Sequence, residues 1–290
     1  MLDIFRTFRD DPAYNKLIGD GYLFAEYKCP LQTETFQFMT EVSFFTFVVS
    51  GRKDWFANGK TYPVQEGDAV FIRKGVYTTR QYFDVDHCLI TCFITDDFIR
   101  NFMRENNVQP GASDSTGDHD QIFRITVTDS VKTLFYSMYT YLKMNQEIPR
   151  ALVELKFREL LYNIMLDPDH AGMMQYFHSL NHTGRRTFEE VMMKNFNADL
   201  ELEDFARLSG RSLSTFKRDF KNYYRQTPGK WLNEKRLEYA KTLLMSSDLN
   251  VNEVCYESGF RNTSHFNKAF KQRYNLAPNQ FRRTSATLPH

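Results

Sequence analysis

The stretch from Leu202 to Arg282 carries one pattern written twice, and this repeat constrains the chain more than any other feature. The first copy runs Leu202-Glu-Asp-Phe-Ala-Arg-Leu-Ser-Gly210, continues from Arg211 to Phe220 and closes at Tyr223-Tyr-Arg-Gln-Thr-Pro228. The second starts about 49 residues later with Val251-Asn-Glu-Val-Cys-Tyr-Glu-Ser-Gly259, continues from Phe260 to Phe270 and closes at Tyr274-Asn-Leu-Ala-Pro278. In each copy apolar residues stand at helical spacing, Leu202, Phe205 and Ala206 or Val251, Val254 and Cys255, which predicts a short amphipathic helix. The small residue Ala206 or Cys255 allows a second helix to cross closely. Gly210 or Gly259 stops the first helix, because glycine takes the left-handed closing conformation without strain.

A second helix is expected to open on the N-caps Ser212 and Asn262 and to bury Phe216 with Phe220, or Phe266 with Phe270. Its wet face offers Ser214, Thr215, Lys217, Arg218 and Lys221 in one copy, and Arg261, Thr263, Ser264, Asn267, Lys268 and Lys271 around the other. Hydroxyls, amides and cations at the exposed start of such a helix are the groups that read base edges and hold phosphates. Two hairpins that merely pack together would also be amphipathic. The repeat weighs against that, since it keeps glycine, aromatic pair, cationic face and terminal proline in register. Between the copies, Gly229 to Ser246 contains no helix breaker, and Pro228 suits a first helical turn. Such a helix spans roughly 27 Å and sets two recognition helices toward successive major grooves, roughly 34 Å apart, of a somewhat bent duplex.

On these residues the segment from about 185 to 284 resembles the DNA-binding domain of the AraC/XylS family of bacterial transcription regulators. The second unit carries most of the likeness: Glu253-Val-Cys-Tyr-Glu-Ser-Gly-Phe260, Phe266-Asn-Lys-Ala-Phe-Lys271 and Asn275 to Arg282. The resemblance implies a bacterial regulator that binds double-stranded promoter DNA as a homodimer, with RNA polymerase as a further partner.

The net charge of +1 conceals an asymmetry: from Arg185 onward there are 19 Lys and Arg against 12 Asp and Glu, so this third carries +7 and the rest −6. A basic end on an acidic body suits a DNA reader joined to a separate sensory domain. Cys29, Cys88, Cys92 and Cys255 form no CxxC pair and read as buried apolar residues in a reducing compartment. No signal-like segment opens the chain and no run approaches 18 apolar residues. The expectation is a cytoplasmic, nucleoid-associated protein with no membrane contact.

Residues 1–125 are dominated by strand signals. Tyr22–Tyr27, Phe36–Met39, Ser43–Val49, Lys53–Ala57, Ala69–Ile72, Tyr77–Phe83 and Cys88–Ile94 are short, aromatic and β-branched. Turns at Gly51, Asn58-Gly59, Glu66-Gly67-Asp68 and Lys74-Gly75 separate them, and such spacing points to a sandwich or barrel. The run from Tyr62 to Tyr77 resembles the second conserved motif of the cupin barrel. Metal-binding cupins carry a histidine near the place of Tyr77, and a His-x-His pair with a glutamate on earlier strands. Here Ser43 to Trp55 holds no histidine, and His87 and His119 are the only two in the segment. The expectation is therefore no metal, no cofactor and no catalysis. Phe36, Phe38, Phe45, Phe47, Trp55, Tyr62, Phe71, Tyr77 and Tyr82 are candidates to line an apolar ligand pocket, together with Phe93, or to fill the interior as core. Arg73, Lys74 and Arg80 flank the motif as candidate anion contacts or as solvated side chains. Gln109 to Asp118 reads as an exposed loop.

From Asp129 the period becomes 3.6, with Val131, Leu134, Phe135, Met138, Tyr139 and Leu142 on one stripe. After a break at Ile148-Pro149, a second helix carries Leu152, Leu155, Lys156, Glu159, Leu160 and Ile164. The family resemblance implies dimerisation here, with Leu152, Leu155 and Ile164 as its candidates. Met173–Leu180 is a shorter helix, Asn181–Gly184 a linker, and Thr187 with Glu190 a capping box. The expected architecture is α+β and multidomain. It comprises a cupin-like β-barrel sensory domain over 1–125, a helical dimerisation segment over 126–180, a linker at 181–184 and an all-α double helix-turn-helix domain over 185–284. The functional expectation is a sequence-specific DNA-binding regulator that senses a small ligand. Gating by a protein partner is the alternative, and a cupin-type enzyme fused to a DNA reader is the remote one.

Overall fold

Apolar side chains on both sides of the same strands decide how the first half of the chain is layered. The computed structural model describes residues 1–28, 33–57, 59–83, 86–108, 120–144, 146–180 and 185–286. Cys29, Asn58, the loop 109–118, His119 and the linker 181–184 lie outside the described residues, as do the surroundings of the Thr187 side chain. The chain divides into two compact units, Met1–Gly184 and Arg185–His290.

The first unit contains β1 (Leu2–Asp3), α1 (Ile4–Asp10), β2 (Lys16–Gly19), β3 (Tyr22–Lys28), β4 (Thr35–Thr40), β5 (Ser43–Ser50), β6 (Arg52–Ala57) and β7 (Lys60–Gln65). There follow β8 (Ala69–Ile72), β9 (Gly75–Gln81), β10 (Cys88–Ile94), α2 (Asp96–Glu105), β11 (Ile122–Ile125), α3 (Asp129–Lys143), α4 (Arg150–Leu166) and α5 (Ala171–Ser179). A five-stranded sheet is ordered β1-β4-β9-β6-β7 and a six-stranded sheet β11-β8-β5-β10-β3-β2. The expected barrel is thus two facing sheets, and among the described residues no strand pairing closes one onto the other. From β5 to β10 the chain steps back and forth between the sheets, so side-chain packing rather than a continuous hydrogen-bonded ladder joins them. The strands not expected from the sequence, β1, β2, β7 and β11, include all four sheet edges. Pro63 in β7 is compatible with that place, because an edge strand has one side on which no N–H is needed.

The six-stranded sheet is buried on both faces. Its inner face gives Leu23, Ala25, Tyr27, Phe44, Val70, Ile72, Leu89 and Phe93 to a core shared with Phe38, Trp55, Val64 and Tyr77 of the other sheet. Its outer face gives Phe24, Phe45, Phe47, Phe71, Ile90 and Cys92 to a second core with the helices, among them Phe102, Phe135, Phe157 and Phe177. Phe47 stacks on Phe135 with centroids 4.9 Å apart and planes at 10°, and Tyr22 packs on Phe157 at 4.8 Å. Glu26, buried at 7% exposure, accepts from the Lys143 ammonium at 2.6 Å and the Tyr139 hydroxyl at 3.0 Å. Burial and then this bond to Glu26 push the Tyr139 phenol up to about 12. Helices read as a separate segment are accordingly a layer of the first unit.

The second unit is helical: α6 (Arg185–Asn195), α7 (Leu202–Leu208), α8 (Leu213–Tyr224), α9 (Pro228–Ser246), α10 (Val251–Glu257), α11 (Thr263–Tyr274) and α12 (Pro278–Ala286). The 19-residue α9 is its spine. Leu237, Ala240 and Leu244 on α9 pack with Val254, Cys255, Phe260, Phe266 and Phe270, while Trp231 near its start meets Phe220 at 5.9 Å.

Phe135 has no exposed surface, so Phe135→Ala is expected to lower unfolding free energy by about 3–5 kcal/mol. Urea denaturation followed by circular dichroism measures this. An unchanged midpoint would mean that the aromatic stack does not hold the helical layer to the sheet.

Candidate nucleic-acid interface and inter-sheet cavity

The two copies in the second unit are alike down to their caps. Asp204 accepts from the backbone N–H of Glu201 at the start of α7, and Glu253 from that of Asn250 at the start of α10. At the closing turns Gly210 and Arg211 donate to Arg207 and Ala206, and Gly259 and Phe260 to Tyr256 and Cys255. The Ser212 hydroxyl caps α8 by accepting from Thr215 N, as the Asn262 amide oxygen caps α11 by accepting from His265 N. Both longer helices end on a left-handed residue, Arg225 at φ 56° and Asn275 at φ 61°.

On α8, Ser214, Lys217, Arg218 and Lys221 are exposed, Thr215 is half-buried, and Phe216 and Phe220 are fully buried. On α11, Ser264, Asn267, Lys268 and Lys271 are exposed, Thr263 is half-buried, and Phe266 and Phe270 are fully buried. At about 100° per residue each exposed quartet spans roughly 100° of arc opposite its phenylalanines. His265 is also exposed at the start of α11, and the sequence pattern did not single it out. Arg218 lies 3.3 Å from Asp219, whose other oxygen takes Arg211 at 3.2 Å.

Arg261 occupies a different setting from the rest of its set. Its guanidinium is ion-paired with Asp199 and Glu201, in the loop ahead of α7. Those acids raise its pKa through hydrogen bonds, first Glu201 and then Asp199. Other ties converge on the same loop. Arg236 of α9 donates to Phe196 O at 2.6 Å and Ala198 O at 3.0 Å, and the Asn197 amide donates to Glu257 O at 3.4 Å. Arg261 therefore helps join the second copy to the first.

In the first unit a cavity of about 130 Å³ lies between the sheets. The N-terminal segment supplies one wall through Leu2, Ile4, Thr7, Phe8 and Tyr14. Tyr27, Phe36, Phe38, Phe44, Lys53, Trp55, Leu89 and Thr91 supply the others. Of the sequence candidates, Phe36, Phe38 and Trp55 line it. Tyr62, Tyr77 and Phe93 belong to the same inter-sheet core without lining it. Phe45, Phe47 and Phe71 point the other way, into the helical layer, because strand parity sends them there. Tyr82 donates to the Asp54 carboxylate at 2.7 Å and lies under the Arg52 guanidinium at 4.2 Å, away from the cavity. The flanking cations are engaged elsewhere: Arg73 sits 4.1 Å from the Tyr176 ring, Lys74 2.6 Å from Asp96 and Arg80 3.6 Å from Glu34.

Lys53 was not among the sequence candidates, although alternation along β6 puts it on one face with Trp55 and Ala57. Its side chain is within the core at 2% exposure, with the ammonium 5.0 Å from the Tyr27 ring, 5.3 Å from Phe36 and 4.8 Å from Trp55. Burial and then the Lys53 charge hold His87 down at about 4, so its ring is neutral at neutral pH. Among the described residues no three His, Cys, Asp or Glu side chains gather as metal ligands, and no helix is long and apolar enough to cross a membrane.

The candidate dimerisation residues are divided. Ile164 is fully buried, since it shares the sheet-facing side of α4 with Val153, Phe157, Leu160 and Leu161. Leu152 is half-buried against the same core. Leu155 is 60% exposed and heads an outward stripe with Tyr162 at 39% and Leu166 at 77%.

Comparison with known proteins follows the same division. Residues 43–176 match the family described as ExsA N-terminal regulatory domain, and residues 205–284 match the one described as helix-turn-helix domain. The thermoregulatory protein LcrF of Yersinia pestis is 27% identical over 245 residues, covering 82% of this chain and 88% of LcrF. The HTH-type transcriptional regulator ExsA of Pseudomonas aeruginosa is 31% identical over 136 residues, or 47% of this chain and 49% of ExsA. A solved structure of ToxT from Vibrio cholerae aligns with a TM-score of 0.44 at 12% identity, covering 91% of this chain and 97% of that one.

The two turn glycines give a matched test. Both have positive φ, +66° at Gly210 and +87° at Gly259. A Cβ at Gly210 meets nothing within 4 Å, whereas at Gly259 it would lie 2.7 Å from Asn197 O and 2.8 Å from Asn197 Cα. Gly210→Ala is expected to cost about 1–2 kcal/mol, the price of the left-handed conformation alone. Gly259→Ala is expected to cost about 3 kcal/mol or more, because backbone atoms must also move. Equal thermal shifts in the two variants would refute the close approach at Asn197.

Proposed function

The chain belongs to the AraC family of transcription regulators and is a DNA-binding protein; from this premise we propose that α8 and α11 enter successive major grooves of promoter DNA. The observation that carries this reading is the recurrence of one exposed quartet on both helices: Ser214, Lys217, Arg218 and Lys221, then Ser264, Asn267, Lys268 and Lys271. Hydroxyl and amide groups on that face read base edges, and the cations hold phosphates and displace counterions. The 19-residue α9 sets the separation of the two readers; at 1.5 Å per residue it is roughly 28 Å long, which suits adjacent grooves of a bent duplex.

The regulator acts as a homodimer through α4. Leu155, Tyr162 and Leu166 follow one another at seven and four residues on one side of that helix, the spacing at which two helices pack along a shared seam. The inter-sheet cavity is the receptor site for a small effector, and its occupancy shifts the population of dimers competent for DNA. RNA polymerase is the protein partner at the promoter, and the protein works in the cytoplasm at the nucleoid.

Replacing one cation in each quartet tests the DNA reading. Arg218→Ala and Lys268→Ala are each expected to weaken promoter binding by about 1–3 kcal/mol if they read bases. If they hold phosphates instead, each is expected to lower the slope of log K against log salt by about 1. Fluorescence anisotropy at several salt concentrations distinguishes these outcomes, and unchanged affinity and slope in both variants would exclude this face.

Self-association is tested separately. The double variant Leu155→Lys, Leu166→Lys changes two exposed side chains, so its thermal midpoint is expected to stay near wild type while light scattering reports a monomer. A wild-type protein that is already monomeric at micromolar concentration would rule out the α4 seam.

A further inference from the structure

The two helix-turn-helix copies differ in length at one place. Arg211 alone separates Gly210 from Ser212, the N-cap of α8, whereas Phe260 and Arg261 both stand between Gly259 and Asn262, the N-cap of α11. The longer turn meets the loop 196–201, which runs directly into α7 of the first copy. Gly259 lets its backbone close on that of Asn197, and the Asn197 amide donates to Glu257 O. The Arg261 guanidinium spans two carboxylates of the loop, Nε on Asp199 and Nη1 on Glu201. Glu201 is also the N-cap residue of α7, so this bridge runs from the start of α11 to the start of the other hairpin. Arg236 of α9 holds the same loop by Phe196 O and Ala198 O. A spine such as α9 fixes a distance along its axis. How one hairpin is turned about that axis relative to the other depends on contacts beside the spine, and these meet at the loop.

We propose that Arg261 is a positioning residue: held by Asp199 and Glu201, it fixes the orientation of α11 relative to α8 and so makes the protein discriminate the base-pair spacing between the two sites these helices read. The proposal rests on the reading that both helices enter DNA, and concerns how they are held rather than what they touch. One base pair more or fewer moves the second site by about 3.4 Å along the duplex and turns it by about a tenth of a helical turn. A stiff pair of readers follows that change only by breaking the joint, while a loose pair re-aims at lower cost. Orientation set before binding therefore favours one spacing. All three side chains are more than half exposed, and exposed ion pairs are individually weak. Two of them on one guanidinium thus account for a preference of several-fold.

The full-length protein is tested on a duplex that it selects from a random pool, after footprinting has located the two read sites. Further duplexes carry one base pair more or one fewer between those sites, and fluorescence anisotropy gives each affinity. Wild type is expected to prefer the selected spacing. Arg261→Ala, and separately the double variant Asp199→Asn, Glu201→Gln, are each expected to shrink that preference about three- to tenfold. The triple variant is expected to shrink it no further, because the three side chains form one interaction. Should Glu201→Gln disturb the start of α7, Asp199→Asn alone is expected to act in the same direction. A phosphate contact by Arg261 has a different signature: neutralising the two acids then tightens binding at every spacing, while Arg261→Ala weakens it at every spacing and lowers the salt slope by about 1. That pattern would overturn the proposal, as would an unchanged spacing preference in Arg261→Ala and Asp199→Asn. A wild-type protein indifferent to spacing would instead overturn the two-reader arrangement on which the proposal rests.

Discussion

A six-stranded sheet with two apolar faces cannot stand in water on either side, and the first unit is arranged around that requirement. The five-stranded sheet covers one face and α2 to α5 cover the other. Neighbouring residues of β5 divide between the layers: Phe44 enters the inter-sheet core while Phe45 and Phe47 meet the helices. The helices are in this sense part of the sheet's solvation. Glu26 sharpens the fit, since a buried carboxylate on β3 takes two donors from α3 and so gives that helix a particular position on the sheet.

The same packing leaves an imperfection on the inner side. Inward positions of β6 are filled in order by Lys53, Trp55 and Ala57, and a lysine in that row cannot be packed as a hydrocarbon is. The aromatic rings stand about 5 Å from its ammonium, and an open volume lies beside it. The N-terminal segment lies over this volume, held in part by Arg6 on α1, which donates two hydrogen bonds to Glu41.

In the second unit the repeated caps give two equivalent hairpins, but equivalence does not set their spacing. That is the work of α9 and of the loop before α7, which Arg236, Asn197 and Arg261 tie to α9 and to the second copy. Gly259 allows the close approach, because any side chain there would run into the Asn197 backbone. The copies differ in this respect, since Gly210 faces open space. Beside α11, Arg261 is committed to this joint by two carboxylates, Asp199 and Glu201.

The double helix-turn-helix was legible because its determinants are local: glycine at a left-handed turn, an N-cap three residues before the N–H it serves, and phenylalanines four apart. Sequence alone therefore placed both helix-turn-helix units and the exposed faces of α8 and α11. The strands of the first unit were legible as strands, but not which face of each looks inward, because runs such as Phe44-Phe45 are apolar on both parities. For that reason Phe45, Phe47 and Phe71 were grouped with a pocket they do not line, and edge strands with weak patterns were missed. On α4 a wide apolar circumference hid the division between Ile164 in the core and Leu155, Tyr162 and Leu166 outside. Residue type and spacing determine which elements form and where they stop. Which side of an element meets which neighbour depends on contacts between residues far apart in the chain, as Lys53 beside Tyr27 and Phe36 shows, and those contacts exist only once the layers have packed.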